Sequence, residues 1–230
     1  MNAHSTITSS TANLYKCSPR QIRRHAERVL LAGRVPFVKS SPGMGKSSIF
    51  KQIAEDWNLQ LIDWRASTAA PEDLTGLPRF MEDGTARFFP FADLFPIEGT
   101  ELPEGKDGWL LFADEFNSAP KSVEAAAYKL FLDRMVGQHK LHDRVLLAAA
   151  GNLGTDKAIV NPQSSAMKSR FIHLEMEISH KEWLEDVAYA QGYDERIIAF
   201  LNYKPDFLMD FNPDSKELTF CCPRTWELRL

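Results

Sequence analysis

Gly43, Gly45, Lys46 and Ser47 stand within the run VKSSPGMGKSS, Val38 to Ser48. The run departs by one residue from the pattern G-x-x-x-x-G-K-[ST], with Ser40 in the place of the first glycine. A triphosphate needs several backbone N–H donors in a concave turn, a cation, and an oxygen ligand for magnesium. Gly43 and Gly45 let the backbone of residues 43–46 curl around phosphates, and the following helix aims its N-terminus at them. Pro42, Met44 and Ser48 complete the cradle. Lys46 would reach the β- and γ-phosphates, and the Ser47 hydroxyl would coordinate Mg²⁺. The plain alternative is a strand-to-helix turn carrying a surface lysine. The apolar run before the loop and the amphipathic pattern after it favour phosphate. Position 40 falls where the strand turns into the loop, so the closest approach to phosphate belongs to 43–46, which keep both glycines.

Magnesium and water call for carboxylates at the end of a neighbouring strand. WLLFADE supplies them: Asp114 to hold Mg²⁺ through water, and Glu115 to orient and polarise an attacking water. VLLAAAGN ends in Asn152, whose amide could hydrogen-bond a γ-phosphate or that water; a turn-forming Asn before Leu153-Gly154 is an equal reading. MKSRFIHLEM sets Arg170 at a helix-to-strand junction. An arginine there can stabilise charge developing on phosphate in a neighbouring subunit, an effect of roughly 10³–10⁵ in rate. CCPRTWE places Arg224 after a proline, at the expected start of another helix.

The elements that must position these groups alternate. Ser18 and Pro19 read as N-cap and first position of a helix with Ile22, Ala26, Val29 and Leu30 on one face, ended by Gly33. VPFVKS, LQLIDW, WLLFA, RVLLAAA and FIHLEM read as five strands. Between them fall a helix from Ser47, with Ile49, Phe50, Ile53, Ala54 and Trp57 inward, and another capped near Ser118, with Val123, Ala127, Leu130 and Phe131 in register. Residues 66–108 are the least regular, and Asp83-Gly84 within PRFMEDGTARFF predicts a β-hairpin. Strands alternating with helices argue for a parallel, helix-covered sheet. From Ser179 only helices are expected, the first opened by a capping box of Ser179 and Glu182 and the second running from Asp194 to Tyr203.

With 230 residues, 44% of them apolar and 25% charged, the chain suits one core plus a small subdomain. It has no apolar span of membrane length. The polar start MNAHSTITSSTAN reads as a disordered lead-in. A net charge of −4 gives no general reason to bind nucleic acid, and RQIRRHAER reads as the solvated face of a helix. Cys17, Cys221 and Cys222 form neither a disulfide framework nor a metal-ligand spacing, which suits a reducing, cytoplasmic setting.

Taken in order, these segments resemble an AAA+ ATPase: SSPGMGKSS as Walker A, WLLFADE as Walker B, Asn152 as sensor 1, Arg170 as arginine finger and Arg224 as sensor 2. Within that superfamily the chain is similar to the MoxR and dynein-related branch, through PEDLTG (Pro71 to Gly76) and DEFNSAPKSVEAAAYKLFLDRMVGQHKL. The resemblance runs from about residue 18 to residue 228. It implies an α/β, P-loop NTPase fold, a three-layer αβα sandwich whose five parallel strands lie in the order 5-1-4-3-2. It divides the chain into a lead (1–17), a nucleotide-binding domain (18–178) and a helical lid (179–230). With Leu230 soon after Arg224, the lid is expected to lack its closing helix. The resemblance further implies hydrolysis of ATP with Mg²⁺, in a homo-oligomeric ring, usually a hexamer, with ATP at subunit interfaces. Such proteins remodel or activate a partner protein, often one bearing a von Willebrand A domain, and the Asp83-Gly84 hairpin then faces a pore or substrate. Three alternatives remain: a DNA-directed loader, a non-hydrolysing nucleotide-dependent scaffold, and a monomeric P-loop kinase. Asp114-Glu115 favours water as the nucleophile over the kinase.

Overall fold

The computed structural model describes residues 16–156, 161, 163–215 and 217–227. Five apolar runs become the main strands: β2 (Val35–Ser40), β3 (Leu59–Arg65), β6 (Gly108–Asp114), β9 (Val145–Asn152) and β10 (Phe171–Met176). All pair in parallel, in the order β10-β2-β9-β6-β3. Counted along the chain this is 5-1-4-3-2, the order expected of the P-loop NTPase fold. The sheet nonetheless has six strands rather than five, because β1 (Lys16–Cys17) adds to the outer edge of β10. Lys16 and Cys17, expected in the disordered lead, are therefore part of the sheet; residues 1–15 lie outside the described residues. A two-residue strand shows no periodicity, and only its partner Glu175–Met176 defines it.

Parallel strands buried on both faces read as continuous apolar runs, and β6 is buried along its whole length. Alternate residues feed different layers. Leu110 and Phe112 pack with Ile22, Ala26, Phe50 and Ile53 of α1 (Pro19–Leu31) and α2 (Lys46–Asp56). Leu111 and Ala113 pack on the other face with Leu74 of α3 (Pro71–Thr75) and Val123, Ala127 and Leu130 of α4 (Lys121–Asp133). The result is three layers, with the C-terminal ends of the parallel strands gathered along one edge.

Local chemistry sets the ends of the elements. Ser18 caps α1 in a box with Gln21, and Pro19 occupies its first turn. α4 begins at Lys121 rather than near Ser118, which lies in a 3₁₀ turn, Phe116–Ser118. Pro120 disfavours helical geometry at Ala119, which is extended at ψ 146°. Asp83-Gly84 does turn a hairpin, between β4 (Leu77–Phe80) and β5 (Ala86–Phe89), and Phe80 is 82% exposed on it. A second, short hairpin pairs β7 (Met135–Val136) with β8 (His139–Lys140) ahead of β9.

After α5 (Ser165–Lys168) and β10, the chain is helical. α6 (His180–Trp183) passes into a π-helical stretch, Leu184–Tyr189, and α7 (Glu195–Tyr203) and α8 (Pro223–Trp226) follow. Trp183, Leu184, Ala188, Tyr193, Leu201 and Leu208 form a separate hydrophobic cluster. Ser179 accepts from the Glu182 N–H, as a capping box requires. The Glu182 carboxylate, however, turns to the first helix, accepting from Ser18 Oγ at 2.6 Å and the Arg20 N–H at 3.0 Å. Glu182 thus joins the helical part to the start of α1.

Candidate nucleotide-binding site

The loop between β2 and α2 lies at the C-terminal edge of the sheet, where ligands of open α/β folds bind. Gly43 and Gly45 have φ of +76° and +87°, in the left-handed region that glycine enters without strain. Gly45 is the N-cap of α2 and has no side chain with which to cap it. Among the described residues, no backbone N–H from Gly43 to Ser48 meets an acceptor. These donors together with the helix dipole form a site for an anion.

Lys46 points into the same space. It is 9% exposed. Its Nζ donates to Ser40 O (3.2 Å), Ser40 Oγ (3.1 Å), Ser41 O (3.3 Å) and Asn152 Oδ1 (3.2 Å). Every one of these acceptors is neutral. Burial therefore lowers the Lys46 pKa to about 8, with Asp114 opposing the shift and Arg224 adding to it. Ser40, in the place of the first pattern glycine, is wholly buried as the last residue of β2, and its hydroxyl helps to seat the ammonium.

The neighbouring strand ends bring the remaining groups. β6 delivers Asp114, 7% exposed, whose Oδ2 accepts from Ser47 Oγ at 2.9 Å and whose Oδ1 accepts from the Glu115 N–H at 2.8 Å. Ser47 and Asp114 are hard oxygen donors side by side, the donor type that Mg²⁺ takes, so the residues present fit that ion. Glu115 has φ +52°, a left-handed conformation uncommon outside glycine, and its carboxylate accepts from Ser67 Oγ. Asn152, the last residue of β9, faces Lys46 and stands beside Ser40 in the β2–β9 register.

Pro42 and Met44 lie within the loop, and exposed Ser48 follows in the first turn of α2. Arg224 is the second residue of α8, and its N–H donates to Gly43 O at 3.2 Å. An added Cβ on Gly43 would lie 2.4 Å from Cys222 Sγ, so this glycine also permits close approach of the segment around Cys222. Beside the loop, α1, α2 and the helices after β10 line an open cleft of about 680 Å³, with Met44, Ile49, Ile178, Trp183, Val187 and Pro223 among its walls.

Arg170 does not join this cluster. It is exposed on the turn before β10, where Phe171 stands beside Val35, at the start of β2. The glycine loop leaves the other end of β2, about five residues or roughly 17 Å further along the strand. Ser67 went unnoticed in the sequence, and Asn117 entered only as part of the DEFNSAP segment, with no role of its own. Ser67, on the 3₁₀ turn after β3, holds Glu115. Asn117, just beyond Glu115, bonds to the backbone of Asn152. Only the adjacency of β3, β6 and β9 reveals either.

No protein-family model matches the sequence, and comparison with curated proteins finds no match. Solved structures of similar shape include a Cytophaga hutchinsonii protein provisionally assigned as an ATPase, 17% identical over 85% of this chain and 51% of that one, TM-score 0.46. NtrX from Brucella abortus is 16% identical over 76% of this chain and 41% of its own, TM-score 0.46. The Holliday junction branch migration motor RuvB of Thermotoga maritima is 21% identical over 75% and 49%, TM-score 0.45. The chain thus spans about half the length of each of these proteins.

Proposed function

We propose that this chain binds Mg²⁺·ATP on the loop Pro42–Ser48 and hydrolyses it, as an AAA+ ring ATPase of the MoxR type. The observation that carries the reading is Lys46: a buried ammonium that, among the described residues, is hydrogen-bonded only to neutral oxygens, beside a row of N–H groups without an acceptor there. Buried charge is costly unless it is paired. An incoming phosphate supplies the missing anion and takes the free N–H donors at the same time.

In this reading Lys46 and the loop N–H groups hold the β- and γ-phosphates. Ser47 and Asp114 hold Mg²⁺, which when bound offsets negative charge on the phosphate oxygens. Glu115, released from Ser67, accepts a proton from water and aligns it. Asn152 spends its Oδ1 on Lys46, which leaves its Nδ2 donors for the terminal phosphate or the water. The base and ribose take the cleft beside Met44 and Ile49, of a volume usual for small-ligand sites. Arg224, docked on the loop through Gly43, couples the lid to the phosphates.

Arg170 supports the ring. At the opposite end of β2 it is remote from its own loop, so its catalytic use requires the site of a neighbouring copy. The exposed hairpin β4–β5, with Phe80 at its end, is the surface we assign to the remodelled partner, with a von Willebrand A domain protein as a further candidate. The division into a nucleotide-binding domain at 18–178 and a lid from 179 belongs to the same proposal, as does a cytoplasmic site of action.

ATP turnover measured against protein concentration, with particle mass measured with and without ATP, tests the reading. Specific activity should rise with concentration as mass shifts to a closed oligomer. Turnover by a monomer, or ATP-driven assembly without turnover, would replace it by the kinase or the scaffold. Stimulation by DNA alone would favour the loader.

A further inference from the structure

Asn117 is 4% exposed, one of the few buried polar side chains of the protein, and none of the steps above uses it. Its Nδ2 donates to the backbone C=O of Asn152 at 2.7 Å, and its Oδ1 accepts from the backbone N–H of the same residue at 3.1 Å. One amide thus closes both backbone polar groups at the tip of β9. The fit is tight, because a Cβ on Gly151 would lie 2.2 Å from Asn117 Oδ1 and 2.5 Å from its Cγ. Asn117 is itself fixed, since its own backbone C=O accepts from the Asn161 N–H at 2.7 Å. Across the clamp, Asn152 Oδ1 lies 3.2 Å from Lys46 Nζ.

We propose that Asn117 is a positioning residue: it fixes the backbone of Asn152 so that the Asn152 amide and Lys46 present their donors to the terminal phosphate. The inference rests on the nucleotide reading and adds a residue to it. It also assigns Gly151 a reason, which is to leave room for the clamp. An amide that merely filled the core would affect every bound nucleotide through overall stability. A positioning amide matters where Asn152 acts, so its loss discriminates between triphosphate and diphosphate.

The test measures affinity for Mg²⁺·β,γ-imido-ATP and Mg²⁺·ADP in wild type, Asn117→Ala, Gly151→Ala and the double variant, with thermal melts of each. Asn117→Ala should weaken the triphosphate analogue about tenfold, the loss expected of one hydrogen bond to a charged group, and ADP by less than about threefold. Gly151→Ala should reproduce this, because its methyl group displaces the Asn117 amide. The double variant should be no worse than either single one, since the pair acts as a unit. Should Asn117→Ala fail to fold, Asn117→Asp keeps the size and the acceptor while losing the donation to the Asn152 carbonyl, and should show the same selective loss. Equal weakening of both nucleotides, unchanged analogue affinity, or additive effects of the two substitutions would overturn the proposal. A wild-type chain that binds neither nucleotide would instead overturn the reading beneath it, before any variant is compared.

Discussion

On the proposed reading, Lys46 should make nucleotide affinity depend on pH in a direction that follows from its surroundings. Burial lowers its pKa to about 8, while Asp114, Asp156 and Glu115 favour the charged form and Arg224 opposes it. A bound phosphate raises that pKa again, so binding takes up a proton wherever the free protein has lost one. At pH 7 about nine-tenths of the free protein carries a charged Lys46, and at pH 9 about one-tenth. Affinity for Mg²⁺·ADP should therefore be nearly constant below pH 7.5 and fall about tenfold from pH 7 to pH 9. ADP is the ligand of choice because its phosphates are already ionised across this interval. Calorimetry in buffers of different ionisation enthalpy reads both the affinity and the proton uptake. Lys46→Arg supplies the control, since a guanidinium does not titrate here and any binding it retains should lose the slope. A flat affinity from pH 7 to pH 9 in wild type, or one that strengthens, would refute the placement of Lys46 against phosphate.

Three further outcomes are expected. Glu115→Gln should keep ATP affinity within about threefold while lowering turnover by two or more orders of magnitude, as loss of a positioned base does; phosphate release in single-turnover mixing checks this. Arg170→Ala mixed with Lys46→Ala should recover turnover that neither has alone if, as proposed, their intact groups meet across a subunit boundary; no recovery at any ratio, with assembly intact, counts against action in trans. Gly43→Val should weaken the proposed nucleotide binding and loosen the segment around Cys222, since a side chain there enters the space of Cys222 at a φ of +76°; faster hydrogen exchange in residues 221–227 is the readout.

The five main strands were legible because strands buried on both faces carry their signal locally, in unbroken apolar runs such as WLLFA, whereas their order came only from the family resemblance. Lys46, Ser47 and Asp114 were legible for a similar reason, since each sits at a fixed step from the end of such a run. Ser67 was not, and Asn117 was legible only as a place in the DEFNSAP segment, without its contact. Each is an ordinary polar residue on a short turn, and its meaning comes from which strands stand side by side. The capping box at Ser179 was half legible: its backbone bond forms, but the Glu182 side chain finds the N-terminus of α1, which is near only after folding. Arg170 was expected at a helix-to-strand junction and stands there, exposed on the turn before β10. Its distance from the glycine loop emerges only from the register of β10 against β2.

Equilibrium binding of Mg²⁺·ATP to the wild-type chain and to Lys46→Ala, side by side and with both shown to be folded, tests the central claim most directly. The account predicts one site per chain in the wild type and no measurable binding in the variant. Equal binding by the two proteins, or none by the wild type, would contradict it.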